Sequence, residues 1–152
     1  HPGPGADQIL AELAQAAGKE TVFHRAIDVV PDWRETLDQL IALGVTRVLT
    51  SGQEADVSLG TATVREMIAH AAGRIQILPG AGITARNMDR VIAETGCRQI
   101  HLAAHRVQWD HSVSNNRAIY YGGALYPPED RFQVIDSGYI GGMVERLAAT
   151  AE

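Results

Sequence analysis

His24, Arg25 and Asp28 fall within eight residues of one another in the run Thr21-Val22-Phe23-His24-Arg25-Ala26-Ile27-Asp28, a spacing suited to an ion pair with an imidazole beside it. An arginine presents a planar fork of donors that matches carboxylates and phosphates, so Arg25 is a candidate anion ligand, and Asp28 is its candidate partner. Thr50 and Ser51 supply hydroxyls in Leu49-Thr50-Ser51-Gly52-Gln53. Gly80 and Gly82, in Pro79-Gly80-Ala81-Gly82 before a helix start, could turn backbone N–H groups toward an anion. The run has neither the third glycine of a dinucleotide fingerprint nor the lysine of a phosphate-binding loop, so a tight strand-to-helix turn is an equal reading. His101 and His105, with Asp110 and His111 following, form the local group with metal-ligand chemistry. Their spacing matches no zinc motif, and a strand-end histidine also serves as a hydrogen-bonded structural residue. Ser51, His24 and Asp28 have no spacing that argues a nucleophilic triad, and no catalytic residue is assigned.

These residues need elements to hold them. Apolar strands recur at Thr21–Arg25, Arg47–Ser51, Arg74–Leu78 and Arg98–Leu102, and Gly18, Gly44, Gly73 and Gly96 each precede one of them, where a helix end favours positive φ. Helical spacing fills the intervals: 6–17, 31–43 with Pro31 in the first turn, a helix carrying Val64, Met67, Ile68 and Ala71, and one over 84–94. Thr84 caps the last of these, and Asn87 stands where a capping box has Glu. Strands alternating with helices imply parallel β/α units, which place His24, Arg25, Asp28, Thr50, Ser51, Gly80, Gly82 and His101 on one rim at the carboxyl ends of the strands. Alternation along the first strand puts Arg25 on the face of Thr21 and Phe23, taken as the inward one. The stretch 105–133 lacks strong periodicity and reads as a functional loop or partner-binding arm bearing Trp109, Tyr120, Tyr121, Tyr126 and Phe132. Asp136-Ser137 open a final helix.

The 152 residues read as one domain, 1–152, with His1-Pro2-Gly3-Pro4-Gly5 as a flexible lead-in to what reads as a fragment of a longer chain. An apolar content of 45% is enough for a core, and a net charge of −5 argues against nucleic-acid or anionic-membrane partners. No run approaches the roughly 18 apolar residues of a membrane span. A single cysteine, Cys97, rules out an internal disulfide and fits a cytoplasmic setting.

Taken together and in order, Thr21–Asp28, Leu49–Gln53, Leu78–Ile83 and Ile100-His101 resemble the CutC copper homeostasis family over about residues 6–147. The resemblance implies an eight-stranded (β/α) barrel of the TIM type, of which this chain supplies about four β/α units as a half-barrel, the fifth to eighth strands. It also implies a link to copper handling or tolerance in the cytoplasm, with copper as the ion bound and no defined reaction. The family's cysteine-bearing first and second strands are not in this sequence, and the fourth run ends His101-Leu102-Ala103-Ala104, where the family more usually has a small or hydroxyl residue after the histidine. Cu(I) prefers thiolates, so binding by this chain alone is expected to be weak. Two other functions fit the residues: an enzyme acting on a small anionic or phosphorylated metabolite, and an assembly module. Four parallel strands leave two open edges and an uncovered inner face, so a homo-oligomer is expected.

Overall fold

Three of the expected strands form and pair in parallel: β1 (Val22–Phe23), β2 (Arg47–Thr50) and β3 (Gln76–Pro79), in that spatial order. The structure, a computed structural model, describes residues 19–116 and 130–149. The helix expected over 6–17, the lead-in 1–5, and Tyr120, Tyr121 and Tyr126 lie outside the described residues. The chain divides into two compact units, His1–Leu102 and Ala103–Glu152.

In the first unit α1 (Trp33–Ala42), α2 (Thr61–Ala71) and α3 (Met88–Thr95) connect the strands. The α1 cap is Asp32, whose carboxylate accepts from the N–H of Arg34 and Glu35 at 2.8 and 3.1 Å, so Pro31 precedes the helix rather than opening it. Before α3, Thr84 accepts from Arg86 N–H at 3.3 Å while Asn87 Oδ1 accepts from Thr84 N–H at 2.7 Å. These bonds order the turn before the helix, which begins at Met88 with Asn87 as its N-cap and not at Thr84 as expected. Each helix buries one stripe: Trp33, Leu37 and Leu40 on α1, Val64, Met67 and Ala71 on α2, Met88, Val91 and Thr95 on α3.

Alternation decides which strand residues meet those stripes. Val48 and Thr50 on β2, with Ile77 and Pro79 on β3, are buried. The Thr50 hydroxyl lies 3.7 Å from Met67 Sδ, which fixes this as the helix side. Phe23 pairs with Val48 and therefore shares that side, correcting the expectation that Phe23 faces inward. The other face carries Val22, Arg47, Leu49, Gln76 and Leu78, with Val22 49% exposed.

Two strands depart from expectation. The first stops at Phe23, because the chain turns into a 3-10 helix, Arg25–Val29, capped by His24. The fourth, expected over 98–102, does not form a ladder; the segment bonds to β3 through His101 N–H and Pro79 C=O at 2.8 Å. The α/β architecture holds, with a three-stranded parallel sheet among the described residues.

The second unit is an antiparallel ribbon, β4 (His105–Trp109) with β5 (Arg131–Ile135), followed by α4 (Ser137–Ala149). The stretch that seemed aperiodic therefore begins and ends in strand, since cross-strand pairing can order short segments whose own pattern is weak. Asp136 caps α4 through Tyr139 N–H at 2.9 Å, as its place before Ser137 suggested. Among the described residues no helix is long and apolar enough to cross a membrane.

Candidate functional site

Asp28 is held on the 3-10 helix at the carboxyl end of β1, and β2 ends against it. Its Oδ1 accepts from Thr50 Oγ1 at 2.5 Å, Ser51 N–H at 3.2 Å and Gln53 N–H at 3.2 Å. Its Oδ2 accepts from Arg25 Nε at 2.8 Å, Ser51 N–H at 3.0 Å and Ser51 Oγ at 2.8 Å. The side chain is 5% exposed, and Thr50 and Ser51 are fully buried. Burial alone raises the pKa of Asp28, but hydrogen bonds from Thr50, Arg25 and Ser51 outweigh it and hold the carboxyl below its ordinary value. A carboxylate offers about four lone-pair positions, and these donors use them. Asp28 is a charged anchor joining three segments, with no acceptor left for a metal or a substrate proton.

The Arg25–Asp28 pair stands as the spacing suggested, but not by strand alternation, since Arg25 already lies in the 3-10 helix. Its Nη2 donates to Ser51 Oγ at 2.6 Å and to the Glu54 carbonyl at 3.1 Å. The side chain is 41% exposed, and Nη1 has no partner among the described residues. Ser51 Oγ also meets the Glu54 carbonyl. Having one proton, it donates to Glu54 or to Asp28 but not both, and it has no imidazole to activate it. His24 uses Nδ1 to accept from Ala26 N–H at 3.0 Å, while its ring stacks on Phe23.

Gly80 continues from Thr50 through a 2.9 Å backbone bond, and a side chain there would meet Leu49 and His101, so this glycine permits close packing of the strand ends. Gly82 has φ +78°, and its missing side chain makes room for the Asp56 carboxylate, which a Cβ would overlap. Asp56 turns toward this loop because its Oδ1 accepts from Ser58 N–H at 2.8 Å while Val57 N–H bonds to Ala81 C=O at 3.0 Å. A negative charge thus sits where the sequence suggested an anion, which disfavours that role for Gly82. Asp56 carried no sequence signal, because its part depends on the loop from Gly52 to Gly60 folding back with the two glycine backbones in contact.

His101 is exposed beside Gly80, and His105 opens β4 opposite Ile135 in the other unit. Among the described residues no three or more His, Cys, Asp or Glu side chains come together as a metal site. Cys97 is buried beyond the C-terminus of α3, before the segment that runs to His101, away from the strand-end cluster.

The profile of the CutC family matches residues 6–106. A family protein CutC of Treponema denticola is 54% identical over 119 residues, 78% of this chain and 48% of that protein. One of Bacteroides fragilis is 37% identical over 122 residues, 80% of this chain and 49% of its own length. The crystal structure of a CutC from Streptococcus agalactiae, named for copper homeostasis, superposes with a TM-score of 0.58 at 35% identity, covering 62% of this chain and 47% of that one. The chain spans about half the length of the curated relatives it matches.

Proposed function

The chain belongs to the CutC family, and from that premise we propose that it forms the carboxyl-terminal half of a (β/α)8 barrel serving copper homeostasis in the cytoplasm. The observation that carries this reading is the Asp28-centred cluster: it ties the carboxyl ends of parallel strands into one rim, the place where β/α barrels bind ligands. Two further features support the fold. A parallel sheet is ordinarily covered on both faces, and here Val22, Leu49 and Leu78 lie on the face opposite the one that meets Met67, with Val22 49% exposed. The matched length is half that of the relatives.

The described residues do not suit copper. Cu(I) prefers clustered soft ligands, and the single thiol, Cys97, is buried and belongs to no group of three or more His, Cys, Asp or Glu side chains among the described residues. In this reading Asp28 positions, Arg25 meets the ligand, and His24, Thr50, Ser51, Gly80 and His101 shape the rim. The unused Nη1 of Arg25 favours a small anion there, whether bound or chemically altered. Among the described residues β1 is an edge strand and its Val22 is 49% exposed, which favours self-association, the expected partner being a second copy.

The test is copper tolerance in cells lacking the intact protein. Wild-type protein should restore growth in graded copper, whereas a folded Arg25→Gln protein should not. Loss of the protein without any change in copper tolerance would reject the role.

A further inference from the structure

At the other end of the sheet, where the strands begin, lies a cavity of about 770 Å3, within the range of roughly 300–1,000 Å3 usual for small-molecule sites. One part of its wall is apolar, formed by Ile68, Ile75 and Ile77. The rest is polar and uneven in sign. Gln76 Oε1 accepts from Arg47 Nε and from Gln99 Nε2, each at 2.9 Å, so the acceptor oxygen is used and the Gln76 amide N–H groups are left over. Arg47 also lies 3.6 Å from Glu20, while Arg98 makes no ion pair among the described residues. Both arginines line the cavity, and no carboxylate does. What remains for a ligand is a surplus of donors with positive charge, next to aliphatic surface.

We propose that this cavity binds a small organic anion with an apolar body, its head group against Arg98 and Arg47 and its body against the three isoleucines. Charge and shape act together here. Among the described residues the guanidinium of Arg98 is a donor fork without an anionic partner, and an aliphatic body would remove the exposed part of Ile68 from water beside the buried Ile75 and Ile77. A packing gap beside the unladdered segment 98–102 would have the same volume but no reason to prefer one charge over another. Cys97 also lines the cavity, so its thiol reports occupancy.

The experiment titrates the intact protein calorimetrically with octanoate, octylamine and octanol. Octanoate should bind about one per chain, with octylamine at least about tenfold weaker. Arg98→Gln, at an exposed position, should weaken octanoate by about tenfold or more, the scale of a lost charge-assisted hydrogen bond. Octanoate should also slow modification of Cys97 by N-ethylmaleimide. Absence of octanoate binding, equal binding of octylamine, affinity unchanged in Arg98→Gln, or Cys97 modified at the same rate with octanoate present would each overturn the proposal.

Discussion

The fully buried hydroxyl of Thr50 donates to Asp28 Oδ1 at 2.5 Å, although 22 residues separate the two in sequence. Through this bond β2 is joined to the 3-10 helix that follows β1. The same carboxylate takes up the N–H groups of Ser51 and Gln53, which sit where the strand has ended and ladder partners run out. The strand-end rim is therefore built around a negative charge whose donors face inward, leaving Arg25 as its partly exposed cation.

Asp28→Asn should destabilise the fold by about 2–4 kcal/mol, because an amide NH2 would face donors already pointing at the carboxylate. Denaturant unfolding of the two proteins measures the difference. A loss smaller than about 0.5 kcal/mol would mean the cluster does not hold the strand ends together.

Acid should remove the same contribution. The folded pKa of Asp28 lies below its ordinary 3.8, so the unfolded chain takes up the proton first as pH falls. The stabilisation is fully present above the unfolded pKa and is lost as pH drops through 3.8 toward the lower folded value. The gap between wild-type and Asp28→Asn should accordingly be constant from pH 7 to about 5 and narrow below about 4. A gap that widens in acid would contradict the depressed pKa.

Gly82 and Gly96 both have positive φ, +78° and +71°, yet only Gly82 faces a neighbour that a Cβ would strike. Gly96→Ala should cost about 1–2 kcal/mol, the backbone term alone. Gly82→Ala should cost about 2–5 kcal/mol, and Asp56→Ala should relieve part of that loss in a double-mutant cycle. Equal costs at the two glycines would show that Asp56 yields without strain.

Copper should bind this chain weakly. A competition titration against a Cu(I) chelator is expected to show no tight one-to-one complex and no change on Cys97→Ser, because one buried thiol offers no cluster of soft ligands. Tight binding abolished by that substitution would place a copper centre at Cys97.

Much of the fold was legible because it depends on local chemistry. Helix stripes such as Leu37 and Leu40 or Val64 and Met67 repeat at the helical period, strands between glycine-marked helix ends imply parallel units, and Arg25 with Asp28 lies within reach of a single turn. The four runs in order also carried the family. Tertiary structure decided what depends on where a chain stops and what it lands against. Alternation could not say that β1 would end at Phe23, where His24 caps a 3-10 helix that carries Asp28 to the end of β2, nor which strand face would meet Met67. Gly80 and Gly82 read alike as an anion cradle until the loop from Gly52 to Gly60 folded back and set the Asp56 carboxylate against Gly82. The segment 98–102 has a strand's composition without a strand's ladder, because residue pattern sets a preference while hydrogen bonding needs a neighbour in register.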